Sequence, residues 1–218
     1  MYPELLIFDL DGTLVDTIAD LGYACNHALN QLQLPTHSIS EYKHFVGNGI
    51  MRLLRLSLPQ DRRDDLSLIT LLKAHFMDYS ETHLYDYSGP YKGIVELLSS
   101  LKGKYRLAVA SNKYQRASET IVAHFFPGCF EMIHGEREGI PRKPDKVIIE
   151  NIMGGVGIKD KGKVMMIGDS VIDVQTAKNA GIVSIACTWG FTAKESIAVE
   201  KPDHIVDSPN QILTFVGV

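Results

Sequence analysis

Residues 5–17, LLIFDLDGTLVDT, combine an apolar run with two closely spaced aspartates. The first four residues form an apolar run that is too short for a helix and does not alternate with polar residues. Leu5–Phe8 is therefore predicted to be a strand buried on both faces. Asp9 and Asp11 follow directly, and Gly12 then breaks the pattern. Two carboxylates so close together repel each other. This repulsion costs free energy unless a cation binds them or a reaction uses them.

The residues after this strand carry apolar side chains at helical spacing. Ile18, Leu21 and Cys25 begin a pattern that repeats every three to four residues. Similar patterns continue until a Ser-Gly-Pro sequence interrupts them at residues 88–90. We therefore expect residues 17–87 to form a helical domain that is inserted directly after the first strand.

From residue 88 onward, predicted strands and helices alternate. The strands are expected at residues 105–110, 130–134, 163–167 and 183–187, with a helix before each. Alternation of this kind predicts parallel strands joined by crossover helices, with helices on both faces of the sheet. Residues 1–16 and 88–218 would together form this α/β core.

Polar residues follow the first strand and two of the later ones. The segments are Asp9 and Asp11, then Ser111-Asn112-Lys113, and then Gly168-Asp169-Ser170. In an open parallel sheet, ligands bind beyond the carboxyl ends of the strands. We therefore expect these residues to form one site, with Lys143 at its rim.

These side chains suit a divalent cation and a phosphate group. Mg²⁺ prefers oxygen ligands, so Asp9, Asp11 and Asp169 are predicted to surround it. A phosphate dianion needs hydrogen-bond donors and positive charge. The residues that would supply them are Ser111, Asn112 and Lys143.

The two aspartates of the opening stretch allow transfer of a phosphoryl group in two steps. Carboxylates have a reference pKa of about 4, so Asp9 could attack phosphorus without a general base. Asp11 follows two residues later, on the same side of an extended chain. It could protonate the leaving oxygen and later activate a water molecule.

The composition argues against several classes of partner. The chain has 22 basic and 26 acidic residues, a net charge of -4 and no long run of Lys and Arg, so we expect no nucleic-acid partner. The start lacks the pattern of a signal peptide, and no apolar stretch approaches the roughly 20 residues of a membrane span. The three cysteines stand far apart, as in reduced cytosolic proteins. We expect a cytoplasmic protein with no membrane partner, either a monomer or a homodimer.

Over essentially its whole length, the sequence resembles phosphatases of the haloacid dehalogenase superfamily. The four motifs of that family occur in order, as Asp9-Leu10-Asp11-Gly12-Thr13, Ser111-Asn112, Lys143-Pro144 and Gly168-Asp169-Ser170-Val171-Ile172-Asp173. The resemblance implies a Rossmann-like α/β core with an inserted α-helical cap. It also implies a Mg²⁺-dependent phosphomonoester hydrolase that forms an aspartyl-phosphate intermediate.

The resemblance implies a role for each main motif residue. Asp9 would be the nucleophile that forms the aspartyl-phosphate. Asp11 would be the general acid/base, and its backbone carbonyl would also contact Mg²⁺. Asp169 would be a metal ligand, and Ser111 and Lys143 would hold the phosphoryl group.

Further motif residues would support the site. Asn112 would help to orient the substrate, and Thr13 would fix the loop of the first motif beside the phosphate. Asp173 would support the metal-bound waters or Lys143. Ser170, like Asp173, would support the metal ligands without binding the metal itself.

Within the superfamily, VGNGI at residues 46–50 and VDTIADL at residues 15–21 look most like phosphoglycolate phosphatases. Gly47 and Asn48 would contact the substrate, because a loop that closes over a small molecule needs close backbone approach. Lys146 is a departure, since family members commonly have a second proline at that position. The implied substrate is a small phosphorylated metabolite.

Other functions share part of this pattern. A phosphomutase that resembles beta-phosphoglucomutase has every core motif, so the core leaves hydrolase and mutase open. A phospho-receiver module also gathers aspartates, a hydroxyl group and a lysine around Mg²⁺, but its acceptor lies on a later strand and it needs no helical insert. A haloacid dehalogenase would act without a metal, and Asp11 as an acid/base argues against it.

Overall fold

The computed structural model describes residues 2–217. The chain divides into two compact units. One comprises Thr17–Gly89, and the other comprises the residues up to Asp16 and from Pro90 onward. Among the described residues, none of the helices combines the length and the apolar character that a bilayer crossing requires.

The unit Thr17–Gly89 is helical. Its helices are α1 (Ile18–Gln31), α2 (Gly49–Ser57) and α3 (Leu66–Ser80), with short 3₁₀ turns at Glu41–His44 and Gln60–Arg62. Buried apolar residues recur every three or four positions along α1 and α3, as their spacing predicted. In the first turn of α1, the Asp20 carboxylate accepts hydrogen bonds from the Tyr87 N–H and the Ser88 hydroxyl. These bonds join the two ends of the unit.

The other unit is built, over its described residues, on a parallel sheet of six strands. In spatial order they are β5 (Met132–Glu136), β4 (Arg106–Tyr114), β1 (Leu5–Phe8), β6 (Val164–Gly168), β7 (Val183–Cys187) and β8 (His204–Val206). Every neighbouring pair is parallel. Two short strands, β2 (Val15–Asp16) and β3 (Gly89–Pro90), pair separately. The predicted α/β class is confirmed.

The strand β1 lies between β4 and β6, and its register fixes the position of the site. All four of its residues are fully buried, as predicted. Phe8 is aligned with Val109 of β4 on one side and with Ile167 of β6 on the other. Because these strands run in the same direction, the residues that follow them emerge at one edge of the sheet.

Helices cover this sheet on both faces. They are α4 (Ile94–Leu101), α5 (Gln115–Phe125), α6 (Val147–Val156), α7 (Val171–Ala180), α8 (Lys194–Val199) and α9 (Leu213–Val216). On one face, Ile148 and Ile152 of α6 pack with Leu5 and Ile7 of β1. Each such buried side chain stabilises the fold by about 1.5–3 kcal/mol.

The opposite face of the sheet is packed by aromatic residues. Side chains alternate along a strand, so Phe8 points away from the face that Leu5 and Ile7 occupy. Its ring meets that of Phe130 edge to face, with centroids 6.2 Å apart. Phe130 in turn contacts Phe126, which directly follows α5.

Several boundaries differ from the predicted ones. β4 continues to Tyr114, beyond the predicted end at residue 110, because a shift in register lets Tyr114 pair with Glu136 of β5. α6 begins at Val147, and the Asp145 carboxylate accepts a 2.9 Å hydrogen bond from the Val147 N–H. β8 was not predicted, since three residues at a sheet edge form too short an apolar run.

Candidate active site

Three aspartates from two strand ends and one helix form a buried cluster. Asp9, Asp169 and Asp173 each offer a carboxylate oxygen, and these oxygens lie within 4.8 Å of one another. Asp9 follows β1, Asp169 follows β6, and Asp173 is in the first turn of α7. The exposed fraction of each residue is 8% or less. Three acidic groups that are buried and lie this close together favour a bound cation.

Lys143 lies inside this cluster. The sequence analysis expected it at the rim, and the structure corrects that prediction. Its Nζ is 2.8 Å from Asp9 Oδ1 and 2.7 Å from Asp173 Oδ1, and the residue is only 2% exposed. The Asn112 amide holds the Lys143 backbone, because its Oδ1 accepts from the N–H (2.9 Å) and its Nδ2 donates to the carbonyl (3.1 Å). A lysine at the rim of the site would not be held in this way.

Asp173 joins the helix α7 to this lysine. Its Oδ2 accepts hydrogen bonds from the Ser170 hydroxyl (2.6 Å) and the Ser170 N–H (3.0 Å). The Ser170 Oγ accepts from the Asp173 N–H in return, which completes a capping box. Since its Oδ1 contacts Lys143, Asp173 has both a helix-capping and an electrostatic role.

Asp169 is held by two hydrogen bonds. The Thr13 hydroxyl donates to its Oδ1 (2.9 Å), and the Phe191 N–H donates to its Oδ2 (2.8 Å). Gly12 lies against the same carboxylate with φ +88°, and a Cβ there would lie 2.7 Å from Asp169 Oδ1. The glycine of the first motif is therefore required both by its backbone conformation and by this close approach.

The sequence analysis missed the segment that follows β7. The Trp189 indole N–H donates to the Thr13 carbonyl (3.0 Å), and Gly190 lies so close to Asp169 that a Cβ would overlap its carboxylate. This segment comes from the carboxyl end of a parallel strand, like the motif residues. The rule that located Asp9 and Asp169 could therefore have found it, had glycine and backbone N–H groups been considered with the polar side chains.

The electrostatics of the cluster shift three pKa values. Burial and the charge of Asp173 raise the pKa of Asp9 well above its usual range, and Lys143 opposes this shift. The same two causes raise the pKa of Asp169 to about 7. Burial works to lower the pKa of Lys143, but the charges of Asp173 and Asp9 outweigh it and raise that pKa. Lys143 therefore stays charged, and a bound cation would favour the ionised aspartates.

The carboxylate of Asp11 has a different partner. Lys113 Nζ lies 3.1 and 3.2 Å from its two oxygens, and the acidic cluster does not include Asp11. From the sequence, Lys113 was expected at the site with Ser111 and Asn112, but without a role of its own. The predicted metal set was Asp9, Asp11 and Asp169, whereas the carboxylates that the fold brings together are those of Asp9, Asp169 and Asp173. Contact of the Asp11 backbone carbonyl with a metal stays a prediction.

The other predicted residues lie in both units. Ser111 is buried, and its Oγ accepts a hydrogen bond from the Lys113 N–H (3.2 Å). Gly47 has φ +102°, a conformation that favours glycine, and Asn48 directly precedes α2. Gly47 and Asn48 belong to the unit Thr17–Gly89, and their contact with a substrate stays a prediction.

Comparison with known families shows where the chain belongs. A model of the haloacid dehalogenase-like hydrolases matches residues 6–187. A phosphoglycolate phosphatase of Mesorhizobium japonicum is 34% identical over 196 residues, which cover 88% of this chain and 86% of the relative. A phosphoglycolate phosphatase of Vibrio parahaemolyticus is 30% identical over 221 residues, which cover 99% of this chain and 96% of the relative.

Solved structures give the same answer. A protein of Lactobacillus delbrueckii subsp. bulgaricus, assigned to the phosphoglycolate phosphatases, has a TM-score of 0.90 at 30% identity, and 99% of each chain is covered. A haloacid dehalogenase-like hydrolase of Streptococcus pneumoniae has a TM-score of 0.85 at 22% identity over 98% of each chain, which shows the shared fold. The chain, whose four motifs meet at one edge of its parallel sheet, thus belongs to the haloacid dehalogenase-like hydrolases.

Proposed function

We propose that this phosphatase hydrolyses the phosphomonoester of a small metabolite, 2-phosphoglycolate before others, through an aspartyl-phosphate on Asp9 and with Mg²⁺. The observation that carries the proposal is the contact of buried Lys143 with Asp9, beside Asp169. This contact supports the proposal, because the proposed nucleophile, a fixed positive charge and a further carboxylate lie together, where one phosphoryl group could meet all three. The substrate is proposed from relatives of 30–34% identity that are named phosphoglycolate phosphatases.

The first step would transfer the phosphoryl group to the enzyme. A carboxylate oxygen of Asp9 forms a bond to phosphorus while the bond from phosphorus to the ester oxygen breaks. The Asp11 carboxyl group gives its proton to the departing oxygen, so the alcohol leaves neutral. Lys143 and the Ser111 hydroxyl would hold the phosphoryl oxygens during the transfer.

The second step would release phosphate. A water oxygen forms a bond to phosphorus, and the bond from phosphorus to Asp9 breaks. Asp11, now a carboxylate, takes a proton from that water and returns to its starting state. The carboxylate of Asp9 is then free for another cycle, and inorganic phosphate leaves.

The acidic cluster fits Mg²⁺ by its chemistry. It offers only oxygen ligands, which is what this hard cation prefers. Asp9 and Asp169 would hold the ion with the Asp11 backbone carbonyl, because Asp173 is engaged by Lys143 and by Ser170. When bound, Mg²⁺ would supply positive charge against the phosphoryl oxygens. Around this site, Thr13 and Asn112 would act by fixing Asp169 and Lys143, and Gly47 and Asn48 would contact the substrate.

The test is phosphate release by the purified protein. A panel of 2-phosphoglycolate, sugar phosphates and pyrophosphate is compared by kcat/KM, with Mg²⁺ and with EDTA. We expect the highest kcat/KM for 2-phosphoglycolate, no activity in EDTA and no activity in Asp9→Asn. Asp207→Asn is the control, since Asp207 is an exposed aspartate that pairs with Lys194.

Several outcomes would contradict the proposal. Full activity of Asp9→Asn would exclude the aspartyl-phosphate, and full activity in EDTA would exclude the metal. A clear preference for a hexose phosphate would exclude 2-phosphoglycolate as the preferred substrate. Interconversion of sugar phosphates without phosphate release would identify a mutase, and a stable phosphoprotein without turnover would identify a receiver module. The cytoplasmic location and a monomeric or homodimeric state stay predictions.

A further inference from the structure

Lys113 contacts the proposed general acid/base at both of its oxygens. The Nζ–oxygen distances to Asp11 are 3.2 and 3.1 Å, and the side chains are only 10% (Lys113) and 20% (Asp11) exposed. A charge-assisted contact to both oxygens restricts how a carboxylate can turn, and little water is present to compete with it. We propose that Lys113 is a positioning residue that holds the Asp11 carboxylate in the orientation from which it transfers protons. This inference rests on the proposed role of Asp11.

The backbone of Lys113 is itself fixed. Its N–H donates to Ser111 Oγ (3.2 Å), and its carbonyl accepts from the Ser118 hydroxyl (3.3 Å). A Cβ on Gly135 of β5 would lie 2.7 Å from the same carbonyl, so the neighbouring strand packs directly against it. The ammonium group therefore extends from a rigid base and can hold another side chain in place.

Strand order brings the two side chains together. β4 lies beside β1 with Val109 aligned with Phe8, and Lys113 and Asp11 come four and three residues after these aligned positions. Lys143, in contrast, contacts Asp9 and Asp173. The two aspartates of the first motif are thus paired with different lysines, which directs the nucleophile and the acid/base to different positions.

The contact predicts a dependence on the leaving group. An alkyl alcohol is a poor leaving group and needs a proton in the transition state, whereas 4-nitrophenol departs readily as an anion. Lys113→Met keeps the apolar stem and removes the charge. We expect it to lower kcat/KM, which reports the transfer of the phosphoryl group to Asp9, more than about tenfold on 2-phosphoglycolate and less than about threefold on 4-nitrophenyl phosphate. Lys113→Arg should restore much of the lost kcat/KM on 2-phosphoglycolate.

The comparison variants are Asp11→Asn, the double variant Asp11→Asn/Lys113→Met, and Lys163→Met. The double variant should be no slower than Asp11→Asn, because residues that act as a unit are not additive. Lys163 pairs with Glu4 near the surface of the same unit, so its substitution should leave both rates unchanged. Circular dichroism checks the fold of each variant, and Lys113→Gln replaces Lys113→Met if the latter does not fold.

Each contrary result overturns a different statement. If Asp11→Asn discriminates between the two substrates and Lys113→Met lowers both rates equally or neither, Lys113 does not position Asp11. If the double variant is slower than Asp11→Asn by the full effect of Lys113→Met, the two residues act independently and the inference fails. If Asp11→Asn keeps the wild-type rate on both substrates, the proposed function fails, and the inference about Lys113 fails with it.

Discussion

Two lysines divide the carboxylates of the site between them. Lys143 pairs with Asp9 and Asp173, and Lys113 pairs with Asp11. Asp169 is instead held by neutral donors, a hydroxyl and a backbone N–H. At the scale of single residues, this division explains how four acidic side chains remain close together in a largely buried site.

Removal of Lys143 should both destabilise and inactivate the protein. Lys143→Met leaves two buried aspartates without their partner, and loss of one member of a buried pair costs about 3–5 kcal/mol. Urea unfolding without metal measures the change in the free energy of unfolding, and phosphate release measures activity. Lys163→Met, the same change at an exposed pair, should cost less than about 1 kcal/mol. Equal effects of the two substitutions would contradict this prediction.

His134 should make stability depend on pH. Burial and the charge of Arg137 lower the pKa of His134. Its Nδ1 lies 3.1 Å from the Gly135 carbonyl and its Nε2 lies 3.3 Å from Asn151 Nδ2, so the neutral ring donates to the carbonyl and accepts from the amide. Protonation of Nε2 would break the second hydrogen bond.

The lowered pKa of His134 determines whether stability rises or falls with pH. The unfolded chain, with a histidine pKa near 6.5, binds the proton at higher pH than the folded protein does. The stabilisation is therefore complete above about pH 6.5 and decreases as the pH falls below it, by at most about 1.4 kcal/mol per pH unit. His134→Gln should flatten this slope in urea unfolding between pH 5 and 8. The exposed His44, as His44→Gln, is the control; the same slope in wild type and His134→Gln would contradict the prediction.

At the scale of elements, the site lies at one edge of the sheet, where several strands and a helix each contribute residues. β1, β4, β6 and β7 each deliver residues there, and the first turn of α7 adds Asp173. A substitution in one connecting segment can therefore disturb a group that another strand supplies. The segment after β7 is the clearest example, because Gly190 and Phe191 support Asp169 of β6.

Gly190→Ala should impair the site while sparing the fold. The new Cβ would overlap the Asp169 carboxylate and displace it from Thr13 and Phe191. We expect kcat/KM to fall more than about tenfold, together with weaker metal binding. Gly154→Ala is the matched control. Gly154 lies inside α6 with open space around its Cβ position, so alanine should stabilise the protein by about 0.5–1 kcal/mol. Normal activity of Gly190→Ala would contradict this account of the segment.

At the scale of the whole molecule, metal binding should be measurable as stability. A cation that binds only the folded protein adds about 2.7 kcal/mol when its concentration is 100 times the Kd. Mg²⁺ should therefore raise the thermal midpoint of the wild type but not that of Asp169→Asn. The single tryptophan, Trp189, contacts the first-motif loop. Its fluorescence should therefore change over the same range of Mg²⁺ concentration as the thermal midpoint. A midpoint that Mg²⁺ raises equally in both proteins would place the ion elsewhere.

The parts of the fold and site that could be predicted are those with a local signal. The continuous apolar run of Leu5–Phe8 indicated a doubly buried strand, and the alternation after residue 88 indicated a parallel sheet. Asp9 and Asp169 could be located because they directly follow such runs. The partner of Lys113 could not be assigned, since Asp11 lies 102 positions away and nothing near Lys113 in sequence indicates the contact.

The fold class and the residue types of the site follow from local sequence patterns, because periodicity and strand-end chemistry are properties of short segments. Which charges meet depends instead on the tertiary structure. The order and register of β4, β1 and β6 place Lys113 against Asp11, bury Lys143 between Asp9 and Asp173, and bring Gly190 against Asp169. Those contacts depend on how distant strands line up in the sheet, and no single segment of the chain contains that information.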